Sequence, residues 1–352
     1  MTHAVDVLIV GAGPGGGAAA AVAAEQGLSV LVVDRKKEIG VPVQCAEFIP
    51  LPLGGHARSE QVLLQRIAGM KSVLPSGEIE HTDFPGLMVD RARFDQALAE
   101  RARSAGAEIW HPCRLDALSG VRASVIKEHE PVDVQFKLLI AADGPHSTVA
   151  ELLSLPALKT VNTRQYTVDL YRDYDDTDIW LSADYPGGYA WLFPKKRYAN
   201  LGLGADKRYL SDLKAPLESL HQQLIAQGLV GPAIHARTGG AIPVGGMRES
   251  LHHGRVLFVG DAAGLTHPIT GGGIAAAVVS GQRAGQAAAD WLRGDQTALA
   301  EYDEDMKDQF KGTLDRAVQR RAWLEQVWQT DAANDDGTHR RGWIAFPEYF
   351  AA

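Results

Sequence analysis

The segment Gly11-Ala12-Gly13-Pro14-Gly15-Gly16 leaves few folds open, because of what stands on either side of it. Val5–Val10 (VDVLIV) is a nearly continuous β-branched and aliphatic run, the composition of a parallel strand buried on both faces. The glycine turn follows directly. Ala18–Gln26 is then alanine-rich and helix-forming, with Gly27 as a C-terminal cap, and Ser29–Asp34 (SVLVVD) predicts a second strand. Strand, glycine turn, helix and strand, in that order, make a G-x-G-x-x-G match informative. Gly11 permits the tight turn, Gly13 lets the backbone approach a pyrophosphate, and Gly16 lets the helix pack close to the sheet. The helix N-terminus offers N–H groups and its positive end to the phosphates. Asp34 stands where a carboxylate accepts hydrogen bonds from an adenosine ribose. Arg35 beside it either edges the adenine or is solvated. The expected class is α/β, with a Rossmann-like dinucleotide-binding sheet.

A second glycine-rich stretch, Val259–Ile274 (VGDAAGLTHPITGGGI), answers the first from far downstream. Together they predict one long cofactor, its adenosine end at the head of the chain and its reactive ring near residue 270. FAD fits that description.

With 352 residues the chain accommodates two domains, or one with a large insertion. Lys and Arg number 35 against 43 Asp and Glu, a net charge of −8 without a long basic block, which argues against a nucleic-acid partner. Cys45 and Cys113 have no metal or redox spacing, as suits a reducing cytoplasm, the expected location. The first strand leaves no room for a leader's apolar region, and no run reaches transmembrane length, so any membrane contact is expected to be peripheral. His252-His253 read as surface residues rather than ligands, and no metal site is expected.

The cofactor domain is expected to be discontinuous, from residues 1–50, 87–155 and 244–329. Within it, Arg93–Ala105 and Gly273–Leu292 predict helices, and Lys137–Ala142 and Arg255–Val259 predict strands. Residues 51–86 and 156–243 are expected to form a substrate domain of inserted antiparallel sheet, with strands over Gln165–Arg172, Asp178–Ala183, Gly188–Pro194 and Tyr198–Gly204. Ser211–Gln227 predicts an amphipathic helix beside them. Gln296–Gln329 predicts one or two helices, and 330–352 a loop-like tail whose Trp343, Phe346, Tyr349 and Phe350 dock on the body.

The glycine head, Ala142-Asp143-Gly144 and Gly260-Asp261 together resemble the FAD-dependent oxidoreductases of the para-hydroxybenzoate hydroxylase fold. Pro42-Val43-Gln44-Cys45-Ala46-Glu47 resembles the cysteine-bearing loop of the geranylgeranyl reductase subfamily. Tyr189-Ala190-Trp191-Leu192-Phe193-Pro194-Lys195, followed by Ala199-Asn200-Leu201-Gly202, resembles its Y-x-W-x-F-P-K signature. The resemblance covers nearly the whole chain to about Gly294. It implies that Asp143 lies among the cofactor contacts and that Asp261 holds the ribityl chain, with Gly260 permitting the turn. It implies that Pro268 and the N–H groups of Gly271, Gly272 and Gly273 lie by the flavin's pyrimidine edge, where negative charge gathers on reduction. Arg91, in Arg91-x-x-Phe94-Asp95-x-x-Leu98, resembles a cofactor-contacting arginine; otherwise it is a surface charge flanking a helix. One position departs from the pattern. After Asp143-Gly144 the family continues x-x-S-x-x-R, but Ser147 is followed by Ala150, which leaves NAD(P)H as reductant without its usual guanidinium.

The resemblance implies hydride transfer from flavin N5 to an apolar or aromatic substrate. Cys45 is a candidate proton donor, since a free thiol, with a pKa of about 8.5, is mostly protonated at neutral pH. The alternative for Cys45 is a small buried apolar residue. His267 is a second candidate, unless it only satisfies a backbone carbonyl. Tyr189, Trp191 and Phe193 alternate with Ala190 and Leu192, so they share one side of a strand and offer either a flat substrate wall or ordinary core. Two other readings stand beside ene reduction. One is a monooxygenase hydroxylating an aromatic substrate, with a protein-borne tryptophan in quinone-cofactor maturation as one case. The other is an electron-transfer flavoprotein.

Overall fold

The computed structural model describes residues 2–57 and 61–351. The opening strand, His3–Val10, has parallel neighbours on both sides, pairing Val7 with Val30 and with Leu138. Val7, Leu8 and Ile9 are wholly buried, as the unbroken apolar run requires. Across the sheet the order is His252–His253, Val256–Phe258, Glu130–Ala141, His3–Val10, Val30–Val33 and Glu108–Trp110, with the hairpin Cys113–Ser119/Arg122–Lys127 extending from Glu130–Ala141. A strand near residue 257 therefore completes a sheet begun at residue 3. Three loops leave its carboxyl edge side by side, fixed by Gly11 N–H to Val33 O (2.8 Å), Ala142 N–H to Val10 O (2.8 Å) and Val259 N–H to Ala141 O (3.0 Å). This edge is where open α/β sheets bind ligands.

The first helix, Pro14–Glu25, begins earlier than its alanine run predicts. Proline in the first turn lacks only an N–H that has no helical partner there, so the helix starts at the glycines. It packs against Ile274–Leu292 at backbone distance: a side chain at Gly285 would place its Cβ 2.6 Å from Ala19 O. The helix Arg91–Ser104 is capped by Asp90, whose carboxylate accepts the Arg93 N–H at 2.9 Å.

The second sheet runs Val230–Thr238, Thr160–Leu170, Tyr198–Ala205, Ala190–Lys195, Asp176–Trp180, Leu63–Val73, Ile79–Val89 and Phe48–Pro50. It is not antiparallel throughout, contrary to the expectation from sequence. Asp176–Trp180 lies parallel to Leu63–Val73, pairing Asp176 with Gly69 and Trp180 with Val73. Between those two strands the chain crosses to the first sheet and back, so no hairpin sets their relative direction. Alternating apolar residues mark a strand but not its sense. Phe48–Pro50 also belongs to this sheet, against Ile79–Val89.

Lys214–Ala226 covers one face, placing Leu217, Leu220 and Leu224 against Ala190, Leu192 and Leu201. The C-terminal pattern forms one long helix, Ala298–Glu325. The tail beyond it is not a plain loop. Asp336–Gly342 is helical, started by the Asp335 carboxylate accepting the Thr338 N–H at 2.7 Å. Trp343, Phe346 and Tyr349 are buried, whereas Phe350 is exposed. Among the described residues, no helix is long and apolar enough to cross a membrane.

Candidate active site

The head of the chain forms an open cradle. Gly11 has a φ of +103°, and a side chain there would drive into the Ala142–Asp143 backbone. Among the described residues, no atom lies within 4 Å of where a Cβ on Gly13 would stand, so its backbone faces open space. At Gly16 a Cβ would collide with Gly11 O. Asp34 braces this turn: Oδ2 accepts the Ala12 N–H at 2.7 Å and Oδ1 the Lys36 N–H at 2.8 Å. Arg35 is exposed. Asp143 Oδ2 accepts the Val149 N–H at 3.0 Å, and burial raises the pKa of this carboxyl. Its Oδ1 is buried without a partner among the described residues. Ser147 caps the next helix through the Ala150 N–H at 3.0 Å, and Ala150 is buried. An open backbone cradle beside a carboxylate oxygen that lacks a donor fits an extended phosphate- and hydroxyl-bearing ligand.

The far glycine segment completes that edge. Gly260 N–H donates to Ser280 Oγ at 3.0 Å, and Asp261 Oδ1 accepts the Thr266 hydroxyl at 2.5 Å. Burial raises the Asp261 carboxyl. Gly273 caps the helix Ile274–Leu292, and a Cβ on it would lie 3.0 Å from Asp261 Oδ1. Only part of the expected N–H array is open: Gly271 N–H donates to His267 O at 2.9 Å and Gly272 N–H to Thr270 Oγ1 at 3.2 Å. Pro268 O accepts from Arg321 Nη1 at 3.4 Å. His267 Nδ1 accepts the Thr270 N–H at 3.2 Å, so the neutral ring carries its hydrogen on Nε2, which is buried and unpartnered among the described residues. Burial pulls the ring down to about 4, so His267 is uncharged at neutral pH and braces the loop.

Arg91 is no surface charge. Its guanidinium clasps Asp95 through Nε–Oδ1 at 2.9 Å and Nη2–Oδ2 at 3.1 Å, faces the Cys45 thiol, and acts electrostatically on Asp261. Cys45 Sγ accepts the Glu47 N–H at 3.2 Å, and burial pushes the thiol up despite Arg91, which keeps it protonated at neutral pH.

A network not foreseen from the sequence holds this loop. Glu47, only 2% exposed, accepts the Arg91 N–H at 3.0 Å, Asn200 Nδ2 at 2.7 Å and the Lys195 ammonium. Asn200 Nδ2 also reaches Ala46 O at 3.2 Å. Gln165 Nε2 donates to Cys45 O at 3.0 Å while its Oε1 accepts Trp191 Nε1–H at 3.1 Å. Lys195 and Trp191 both lie in the Y-x-W-x-F-P-K segment, and Glu47 in the cysteine loop; their co-occurrence was the available signal.

Tyr189, Trp191 and Phe193 share one strand face, as alternation predicts. The Trp191 ring takes the space a side chain at Gly202 would need, since a Cβ there would stand 2.5 Å from it. Tyr189 stacks edge-on with Trp191 (5.7 Å) and Trp343 (4.8 Å), and its hydroxyl donates to Thr270 O at 2.5 Å. Phe193 meets Phe48 at 6.1 Å. The tail closes over this face: Trp343 and Phe346 join Trp191, Ile179 and Leu181 in one apolar cluster. A narrow cleft remains between Tyr189, Trp191, Ile242, Thr270 and Arg321. Tyr189 and Trp191 thus border one space with the glycine loop near residue 270.

Comparison with known proteins agrees with this geometry. A family described as an FAD binding domain matches residues 85–317, and one described as FAD dependent oxidoreductase matches residues 6–67. Digeranylgeranylglycerophospholipid reductase 2 of Methanopyrus kandleri is 33% identical over 341 residues, covering 89% of this chain and 85% of that protein. The digeranylgeranylglycerophospholipid reductase of Methanosphaerula palustris is 35% identical over 342 residues, covering 90% and 85%. The crystal structure of a geranylgeranyl bacteriochlorophyll reductase-like protein from Thermoplasma acidophilum matches with a TM-score of 0.87 and 27% identity over 98% of this chain and 93% of that one. A probable FAD-dependent monooxygenase from Pseudomonas aeruginosa shares the fold alone, at a TM-score of 0.72 and 19% identity over 94% of this chain and 99% of the other. By sequence and by fold, the chain belongs to the FAD-dependent oxidoreductases of the geranylgeranyl reductase type.

Proposed function

We propose that this oxidoreductase reduces carbon–carbon double bonds in an isoprenoid chain threaded along the face of Tyr189, Trp191 and Phe193. The observation that carries the reading is the junction of that face with the glycine loop, made by Tyr189 Oη–H to Thr270 O at 2.5 Å. In this reading Gly11, Gly13, Gly16, Asp34 and Asp143 hold the adenosine and pyrophosphate of FAD, with exposed Arg35 at the adenine edge. Gly260, Asp261, Arg91, Pro268 and Gly271 to Gly273 hold the ribityl and ring end. When bound, FAD supplies a hydride donor at its ring.

The chain's own residues do the rest. Cys45 keeps its proton because desolvation raises its thiol, and the Glu47–Lys195–Asn200 network fixes the loop that presents it. His267, neutral, shapes the loop between Asp261 and Gly273. Trp343 and Phe346 cover the aromatic face and exclude water, which suits a flexible lipid chain better than a side chain carried on a partner protein. The digeranylgeranylglycerophospholipid substrate named for the relatives is accordingly the first compound to try. Electrons come from outside, NAD(P)H being the small-molecule donor proposed, though with Ala150 in place of an arginine it would dock elsewhere. We read the setting as cytoplasmic, with peripheral contact to lipid.

The test is product analysis after anaerobic incubation of the FAD-loaded, dithionite-reduced protein with that lipid. Gain of a hydrogen pair per double bond is expected. A product that forms only in air and carries an added oxygen atom would overturn the reading.

A further inference from the structure

We propose that Arg321 anchors an anion subsite at the end of the aromatic cleft, taking a phosphate or carboxylate group. The long helix Ala298–Glu325 delivers this side chain into the interior, where it is 4% exposed. Nη1 donates to Gly187 O at 2.9 Å and Pro268 O at 3.4 Å, but Nε and Nη2 are buried with no hydrogen bond among the described residues. An unmade donor on a buried guanidinium is costly.

The carboxylates nearest to it do not meet that need. Asp206 Oδ2 stands 3.7 Å from Nη2 and Glu325 Oε1 3.8 Å from Nε, beyond hydrogen-bond reach. Both are already engaged. Asp206 Oδ2 accepts Arg208 Nη2 at 2.6 Å, and Glu325 Oε1 takes the Lys159 ammonium together with Arg208 Nη2 at 3.1 Å. Among the described residues these two carboxylates thus face three cations, Lys159, Arg208 and Arg321, and one positive charge is left over. Burial pulls Arg321 down to about 10, so it is still charged at neutral pH.

Gly187 has a φ of +83°, and a Cβ on it would lie 2.6 Å from Asp206 Cβ and 3.1 Å from Arg321 Nη2, so any side chain there would crowd the guanidinium. The Arg321 guanidinium carbon also lies over the Trp328 ring, 5.2 Å from its centroid. Arg321 lines the same cleft as Tyr189 and Trp191. A planar fork with two unpartnered donors matches an acceptor-only group with two oxygens, as phosphate or carboxylate presents. Resting on the proposed function, the site would take the polar end of the isoprenoid substrate; a free inorganic anion has the same chemistry.

The experiment uses FAD-loaded wild-type protein, Arg321→Met and Arg321→Lys, with flavin retention as the folding control. In the first arm, calorimetry with inorganic diphosphate is expected to show binding to wild type, weakened about tenfold or more in Arg321→Met and less in Arg321→Lys. This arm needs no turnover, and its wild-type measurement needs no variant. In the second arm, geranylgeranyl diphosphate and geranylgeraniol are compared as substrates of the reduced protein. Arg321→Met is expected to lower the diphosphate-to-alcohol ratio of kcat/KM by about 10- to 100-fold. Diphosphate binding that depends on Arg321 with an unchanged ratio would assign the subsite to a free anion. Absence of diphosphate binding to wild type, or equal binding to wild type and Arg321→Met, overturns the proposal. Failure of wild type to reduce either prenyl compound counts against the proposed function, while the first arm still decides the anion site.

Discussion

The glycine loop at residues 11–16 and the cysteine loop at residues 42–47 both border the site, yet they are held in place by different means. The first is fixed by backbone: Gly11 N–H to Val33 O at 2.8 Å, Ala12 N–H to Asp34, and contacts so close that only glycine fits. The second is fixed by side chains borne on strands more than a hundred residues away, Gln165, Lys195 and Asn200, with Gln44 reaching Gly239 O at 2.6 Å. A loop set by its own backbone announces itself in a local motif. A loop set by remote side chains does not, and it can be loosened without unfolding the sheet that carries it.

Substitutions test that contrast, and the largest effect should fall on the backbone-held loop. Gly16→Val, with its Cβ driven into Gly11 O, is expected to cost about 3 kcal/mol or more and to abolish flavin retention, read by denaturant titration and visible absorbance. A stable, yellow Gly16→Val protein would break the comparison. At the other loop, Glu47→Gln leaves the Lys195 ammonium, 20% exposed, without its counter-charge, at an expected cost of about 2–3 kcal/mol. Alkylation of Cys45 should quicken at the same time as its loop loosens, and an unchanged alkylation rate would deny that Glu47 holds it.

Cys45→Ala should slow double-bond reduction by about 100-fold while flavin stays bound, measured by single-turnover product formation. Full activity would reduce the thiol to packing. The smallest effect concerns the loop near residue 270. His267 titrates near 6.5 when unfolded and at about 4 in the fold. Between those values the unfolded chain holds more protons, so this residue's contribution to stability falls as pH falls. His267→Gln should therefore remove about 1–2 kcal/mol of the stability lost between about pH 7 and about pH 5. An identical pH profile in the variant would show that burial does not depress this ring.

Legibility in the sequence followed the same division. The strand–turn–helix–strand unit, the return of the chain at Val256–Phe258 and the shared face of Tyr189, Trp191 and Phe193 were readable, since each rests on glycine geometry or a short period. The parallel pairing of Asp176–Trp180 with Leu63–Val73 was not, because strand direction leaves no mark in composition. Glu47 and Arg321 were missed for another reason: each is an ordinary charged residue until distant partners show it to be buried. The tail read as a loop because its helix is a single short segment, while its aromatics announced docking but not the face they cover.

The most direct test of the account is stopped-flow spectroscopy on the anaerobically reduced, FAD-loaded protein mixed with the digeranylgeranyl lipid. Oxidised-flavin absorbance should return without oxygen, in proportion to the double bonds saturated. Flavin that stays reduced until air is admitted, with the lipid unchanged, would contradict the claim that the aromatic face and the two glycine loops form one double-bond-reducing site.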